Sequence, residues 1–182
     1  MHSTTPAVRA SILVAARRVL ARDGAEALTL KAVAAEAELS VGGVRYHFAS
    51  KQDLLAALVD ALVEGFDTAL AQAGTAPGDR TRAYIAATLD ASDVRAGYDA
   101  SGGLLAAAAL DAALLDVLRG HFRRWQELLD DDGIDATTAT VVRLAIDGWW
   151  LAAFLDLAPP QGDRAAAVRA ALEHLTGTAA DA

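Results

Sequence analysis

An all-α protein is what this sequence predicts, and three observations predict it. The hydrophobic fraction is 54%, but much of it is Ala, which favours helix and adds little volume to a core. Only four prolines occur in 182 residues, so few positions break a helix. Apolar residues recur three and four apart over long stretches, while β-branched runs stay short. A chain of this length can bury roughly 70% of its unfolded surface, enough for a core without covalent staples. The sequence contains no Cys, which excludes disulfides, iron–sulfur clusters and thiolate zinc sites and fits a reducing cytoplasm.

About nine helices follow from this pattern. The first spans about 6–23, with Ile12, Leu13, Ala16, Val19 and Leu20 on one face, Pro6 in its first turn and Gly24 as its stop. Thr29 is a good N-cap for a short second helix through Ala37, whose Leu30, Val33, Ala34 and Ala37 share a face. After the tight connection Glu38-Leu39-Ser40, Ser40 can cap a third short helix over about 41–47. Ser50-Lys51-Gln52-Asp53 resembles a capping box with Asp in place of Glu. It opens a long fourth helix through Leu54, Leu55, Leu58, Leu62, Phe66 and Leu70 to about residue 73. Beyond the loop 73–78, helices are expected at about 79–92, 102–108, 111–130, 135–157 and 163–177.

The net charge of −8 argues at first against a nucleic-acid partner, but the charge is unevenly spread. Residues 1–60 hold seven Lys/Arg and six Asp/Glu; residues 61–182 hold nine and eighteen. A small near-neutral head on an acidic body is compatible with a protein that meets DNA head-first. No segment has 18 apolar residues free of charge, and the N-terminus lacks an apolar core, so neither a membrane span nor a signal peptide is expected.

Several other chemistries lack their residues. A calcium loop on Asp130-Asp131-Asp132-Gly133 would need a carboxylate at 128 and Glu at 139, where Leu128 and Ala139 stand. That segment reads as a solvated turn, with Asp135 capping the next helix. Four scattered His give no His-x-x-x-His pair for zinc, and no nucleophile–base set suggests an enzyme. No cofactor is expected.

Two short helices about a tight turn, after one helix and before a long one, form a helix-turn-helix candidate. The string from Thr29 to Leu55, TLKAVAAEAELSVGGVRYHFASKQDLL, sharpens it. It strongly resembles the tetracycline-repressor-like (TetR) family of transcriptional regulators. That family has a Thr-initiated helix, a turn, and the pattern Ser-x-Gly-x-hydrophobic-Tyr-aromatic/His-His/Tyr-Phe, then Ser/Asn-Lys at the start of a fourth helix. The resemblance covers about residues 7–55 and continues beyond them as helix order rather than residue identity.

The resemblance implies a helix-turn-helix DNA-binding domain over 1–52 and an effector-binding and dimerisation domain over 53–182. By carry-over, Thr29, Lys31, Ser40, Val41, Gly42, Gly43, Arg45, Tyr46, His47 and Lys51 form the DNA-binding set. Thr29 and Ser40 sit at helix N-termini suited to phosphates, and Lys51 offers a charge to the backbone. The function implied is a ligand-responsive regulator, a repressor that grips a near-palindromic operator as a dimer and releases it on binding a small apolar effector. The alternative is a helix-turn-helix protein that has lost DNA binding and serves as a protein-interaction module.

Two departures from the family pattern bear on this. Glu38 stands where Gly is usual; a positive φ there would be strained, so a turn of another shape is expected. Arg45 stands where Tyr is usual and is suited to a guanine edge, a phosphate or an internal ion pair.

In the second domain, Phe66, Trp125, Trp149 and Phe154 are the candidate effector-binding residues, with His121 as a polar contact; the alternative is a plain hydrophobic core. The helix over 135–157 is apolar over a wide arc and must be covered on more than one side. The last helix carries Ala166, Ala167, Ala170, Ala171 and Leu175. Homodimerisation through these last two long helices is what the resemblance implies.

Overall fold

The computed structural model describes residues 5–89, 104–105, 107–108 and 111–177. Among them are eight α-helices: α1 (Thr5–Ala27), α2 (Leu30–Glu36), α3 (Val41–His47), α4 (Lys51–Ala71), α5 (Asp79–Leu89), α6 (Ala112–Asp130), α7 (Ala136–Phe154) and α8 (Gly162–Leu175). Residues 104, 105, 107 and 108 are also helical, in the segment expected as a helix over 102–108. The expected extension of the fifth helix over 90–92 lies outside the described residues. No strand occurs among the described residues.

Local chemistry sets the helix ends. Gly24 interrupts α1 with φ 79° and ψ 177°, so regular helix stops where the glycine was expected to stop it. The Thr29 side chain accepts from Ala32 N at 3.1 Å and that of Ser40 from Gly43 N at 3.0 Å, each filling one orphan donor of its helix. At the start of α4, Ser50 N donates to Asp53 Oδ2 (3.0 Å) and Asp53 N to Ser50 Oγ (3.1 Å), a reciprocal capping box. Asp135 Oδ2 accepts from Thr138 N at 2.8 Å to begin α7.

The chain divides into two compact units. One is formed by the described parts of residues 1–62 and 95–117. In it α1 packs on α2 and α2 on α3. Ile12, Ala16, Val19, Leu28, Val33, Val44 and Phe48 are buried there, with Leu54 and Leu58 from the first half of α4. Leu28, between α1 and α2, is as deeply buried as any of the residues marked by periodicity.

The other unit holds the described parts of 63–94 and 118–182. There α5 packs on α7, and α7 touches α8. Asp132 is not the solvated residue expected of its turn: it is 6% exposed. Its carboxylate accepts from Arg80 N (3.1 Å), Thr81 N (2.7 Å) and Thr81 Oγ1 (2.8 Å), so it caps α5 from the turn that follows α6. Arg82 ties the same helix to the end of α8, donating to Thr176 Oγ1 at 2.7 Å. No helix among the described residues is long and apolar enough to cross a membrane.

Candidate nucleic-acid interface

The α2–turn–α3 motif is built on buried apolar contacts and presents a polar outer face. Val33 and Ala34 of α2, Val44 of α3 and Phe48 at its end point inward and are at most 2% exposed. That burial fixes which residues of α3 face out: Val41, Gly42, Arg45 and Tyr46 are exposed, Tyr46 at 78%. His47 packs edge-on to the Tyr46 ring at 5.1 Å. Arg9 of α1 lies 5.0 Å over the Phe48 ring, a cation–π contact that holds a charge against the motif.

The turn takes the shape the sequence argued against. Glu38 adopts φ 55°. Its N–H donates to Ala35 O (3.3 Å), and that of Leu39 donates to Ala34 O (2.9 Å). This pair of bonds is a Schellman closure, which needs a left-handed residue at the position Glu38 occupies. The two hydrogen bonds and the burial on either side hold Glu38 there despite a strain of about 1 kcal/mol.

Of the expected contact residues, Thr29, Lys31, Ser40, Val41, Gly42, Arg45 and Tyr46 are exposed. Gly43, His47 and Lys51 are half-buried. The hydroxyls of Thr29 and Ser40 use a lone pair each on their own helices and keep the O–H free to donate outward. Lys51 is placed differently from a simple surface cation. Its Nζ donates to Ala25 O at 2.9 Å, which braces the start of α4 on the end of α1 and leaves two ammonium donors. Arg22 and Arg18 of α1 are committed to Glu36, at 2.8 and 4.0 Å. Glu36 had no marked role in the sequence, and its partners lie 14 and 18 residues away, outside any helical spacing.

In the second unit, the structure brings two of the four candidate effector residues together. Phe66 stacks on Trp125 at 4.9 Å, and Tyr84, Phe122 and His121 complete an aromatic cluster about that indole. Phe154 stacks instead on Trp150 at 6.1 Å. Trp149 is half-buried on the same helix.

The cluster carries two carboxylates that sequence reasoning did not single out. Asp67 accepts from Trp125 Nε1 at 2.7 Å and from Arg124 at 2.5 Å. Burial pushes its carboxyl up, but the hydrogen bonds from Trp125 and Arg124 outweigh that and hold it below its ordinary range. Asp147 accepts from Tyr84 Oη (2.7 Å) and Arg143 Nη1 (2.6 Å). Burial pushes Asp147 above the ordinary carboxylate range even so, and burial followed by the neighbouring Asp147 charge raises the Tyr84 phenol. Only the Arg143–Asp147 spacing, four apart on a helix, was a legible pair. His121 Nδ1 accepts from Arg124 at 3.1 Å, a polar contact at the edge of the cluster. Among the described residues, no group of three or more His, Asp or Glu could hold a metal ion.

A capped α2, a left-handed turn and an α3 with an exposed polar face define a helix-turn-helix DNA-binding protein. Comparison with known proteins gives the family. The pattern of bacterial regulatory proteins of the tetR family matches residues 12–58. That of the tetracyclin repressor-like C-terminal domain matches residues 78–177. The chain belongs to the TetR family of transcriptional regulators.

Solved structures agree with that fold. A transcriptional regulator from Rhodococcus sp. Rha1 has a TM-score of 0.75 over 93% of this chain and 94% of its own, at 23% identity. A TetR-family member from Streptomyces coelicolor A3 has a TM-score of 0.68 over 94% and 99%, at 29% identity. The multidrug binding protein EbrR, complexed with malachite green, has a TM-score of 0.64 over 93% and 98%, at 29% identity. No curated protein matches the sequence.

Proposed function

We infer that this regulator is a repressor that binds a near-palindromic operator as a homodimer and lets go when a small apolar or amphipathic molecule binds its second domain. The exposed outer face of α3 carries the reading: Arg45 and Tyr46 stand clear of the protein on a helix whose other face is locked in the core. Residues 1–52 act as the DNA-binding head and residues 53–182 as the effector and dimer domain. In this reading Thr29, Ser40 and Lys31 bind phosphates, and α3 enters the major groove.

Dimerisation is supported by α7. Val141 (52% exposed), Leu144 (55%) and Leu151 (47%) form an apolar seam along it that continues to its C-cap Leu155 (50%), and Val168 and Leu175 are exposed on α8. Bare apolar seams of this length on adjacent helices favour a covering partner, and a second copy supplies the same seam.

The effector reading rests on the aromatic cluster around Trp125 and on EbrR, whose structures hold malachite green and, at 27% identity, ethidium. The helix α4 spans Lys51 to Ala71 and contributes to both compact units, as α6 does at Val117–Leu118, so each is a covalent path from effector to head. Switching from mostly bound to mostly free requires the effector to prefer the released state by about 5.5 kcal/mol.

The test is binding of the purified protein to DNA from its own upstream region, by fluorescence anisotropy across a salt series. Saturable binding to one palindromic segment is expected, with log affinity falling against log salt by about 0.9 per phosphate contact. Ethidium and malachite green are then titrated into the complex, and release of the DNA is expected. Weak binding indifferent to sequence, there and in a genome-wide selection of fragments, would turn the reading toward a protein-interaction module.

A further inference from the structure

We propose that Arg45 fixes a guanine in each operator half-site, brought within reach by the bare Gly42-Gly43 turn of α3; this rests on the operator-binding reading above. The first observation concerns the glycines. Both lie inside a seven-residue helix without a positive φ. A Cβ on Gly42 would meet only Ser40 Oγ at 3.8 Å, and one on Gly43 only the same atom at 3.3 Å. Neither backbone conformation nor packing against the rest of the chain asks for glycine at 42, although glycine weakens a helix relative to Ala. The reason for a bare surface there lies outside the protein, in close approach of another molecule.

The second observation is Arg45 itself. It is exposed, and among the described residues it has no hydrogen bond or ion pair, whereas Arg22 and Arg18 nearby are held by carboxylates. A guanidinium left free beside a bare helical turn matches the two acceptors, O6 and N7, of a guanine in the major groove. Val41 shares its stripe of the helix, four residues and about 6 Å up the axis, and presents an apolar side chain that is 38% exposed. That separation spans nearly two base pairs, so an apolar contact to a thymine methyl is expected about two steps from the guanine. Direct readout is thereby confined to few positions of each half-site.

The experiment is selection from a random DNA library with the wild-type protein and with Arg45→Ala, followed by affinity and salt dependence on the selected site. The wild type is expected to return a motif with one invariant guanine per half-site. Arg45→Ala is expected to lose about 5- to 150-fold per half-site, hence about 25-fold to 2 × 10⁴-fold on the two-fold site, to accept any base at that position, and to keep the salt slope. Uniform weakening on all sequences, with a slope lower by about 1 per arginine, makes Arg45 a phosphate contact and overturns the proposal. An unchanged motif overturns it too. A wild-type protein that selects no DNA defeats the operator reading itself, and this shows before any variant is made. Gly42→Ala is the second variant: it should raise thermal stability while weakening operator binding, and equal or tighter binding would sink the close-approach argument.

Discussion

Lys51 Nζ donates to the carbonyl of Ala25 at 2.9 Å, so the cation that opens α4 is also a brace on the end of α1. A charged donor on a half-buried carbonyl is worth about 1.5–3 kcal/mol. Lys51→Ala is therefore expected to lower the unfolding free energy by about 2 kcal/mol, measured by urea denaturation, besides weakening DNA binding. Lys31, exposed on α2, separates the two effects. Lys31→Ala should leave stability within about 0.5 kcal/mol and reduce the salt slope of operator binding. Unchanged stability in Lys51→Ala would mean the brace contributes nothing.

Glu38 gives a second expectation. It holds φ 55° in a turn whose hydrogen bonds suit glycine, and it carries a negative charge just before α3, the helix proposed to read DNA. Glu38→Gly is expected to stabilise the protein by about 1 kcal/mol in thermal or urea unfolding, because the left-handed strain disappears. It should also tighten operator binding, most at low salt, by removing a repulsive charge. A destabilised variant would show that the Glu38 side chain, not the turn geometry, holds this connection.

How far the sequence carried is visible in these two residues. The caps at Thr29, Ser40, Ser50–Asp53 and Asp135 were legible because each is completed within four residues. The left-handed Glu38 was not, because propensity argued against it, and the Schellman hydrogen bonds together with the burial of Val33, Ala34 and Val44 on both sides enforce it. Asp67 and Trp125 are 58 residues apart, and no periodicity links them; the one clue was that a buried indole N–H needs an acceptor. Asp132 was misread for the same reason, since its partners at Arg80 and Thr81 lie about fifty residues away. Trp149 and Phe154 were grouped with Trp125 on aromatic character alone, whereas Phe154 stacks on Trp150 one turn away along α7.

The Asp67 contact makes a pH prediction. Because the folded carboxyl lies below its ordinary range, its contribution is full above the unfolded value of about 3.9 and is lost as pH falls through the lower folded value. Asp67→Asn should destabilise the protein by about 1 kcal/mol at pH 7, with the gap to wild type closing on acidification below about pH 4. Asp147 has the opposite sign. Its raised carboxyl contributes stability below the ordinary carboxylate range that is lost as pH rises through the folded value. Thermal unfolding from pH 3 to 7 reads both. A pH-independent gap for Asp67→Asn would remove the carboxylate from the stability of the aromatic cluster.

The apolar seam on α7 is the last feature that a measurement can decide. Leu144 and Leu151 are about half exposed in the single chain, so replacing either with Glu removes little from the core of one subunit. In a two-fold dimer each substitution appears twice, and burying an unpaired polar group costs about 1–3 kcal/mol per copy. Leu144→Glu and Leu151→Glu are therefore expected to shift the protein to monomer in sedimentation velocity at micromolar concentration, with a retained helical circular dichroism spectrum. Because one operator half-site alone is gripped more weakly than two linked ones, the same variants should lose operator affinity by two orders of magnitude or more, taking the lower bound of about 10²-fold for bivalent gain. Dimers that persist in both variants would move the interface off this seam.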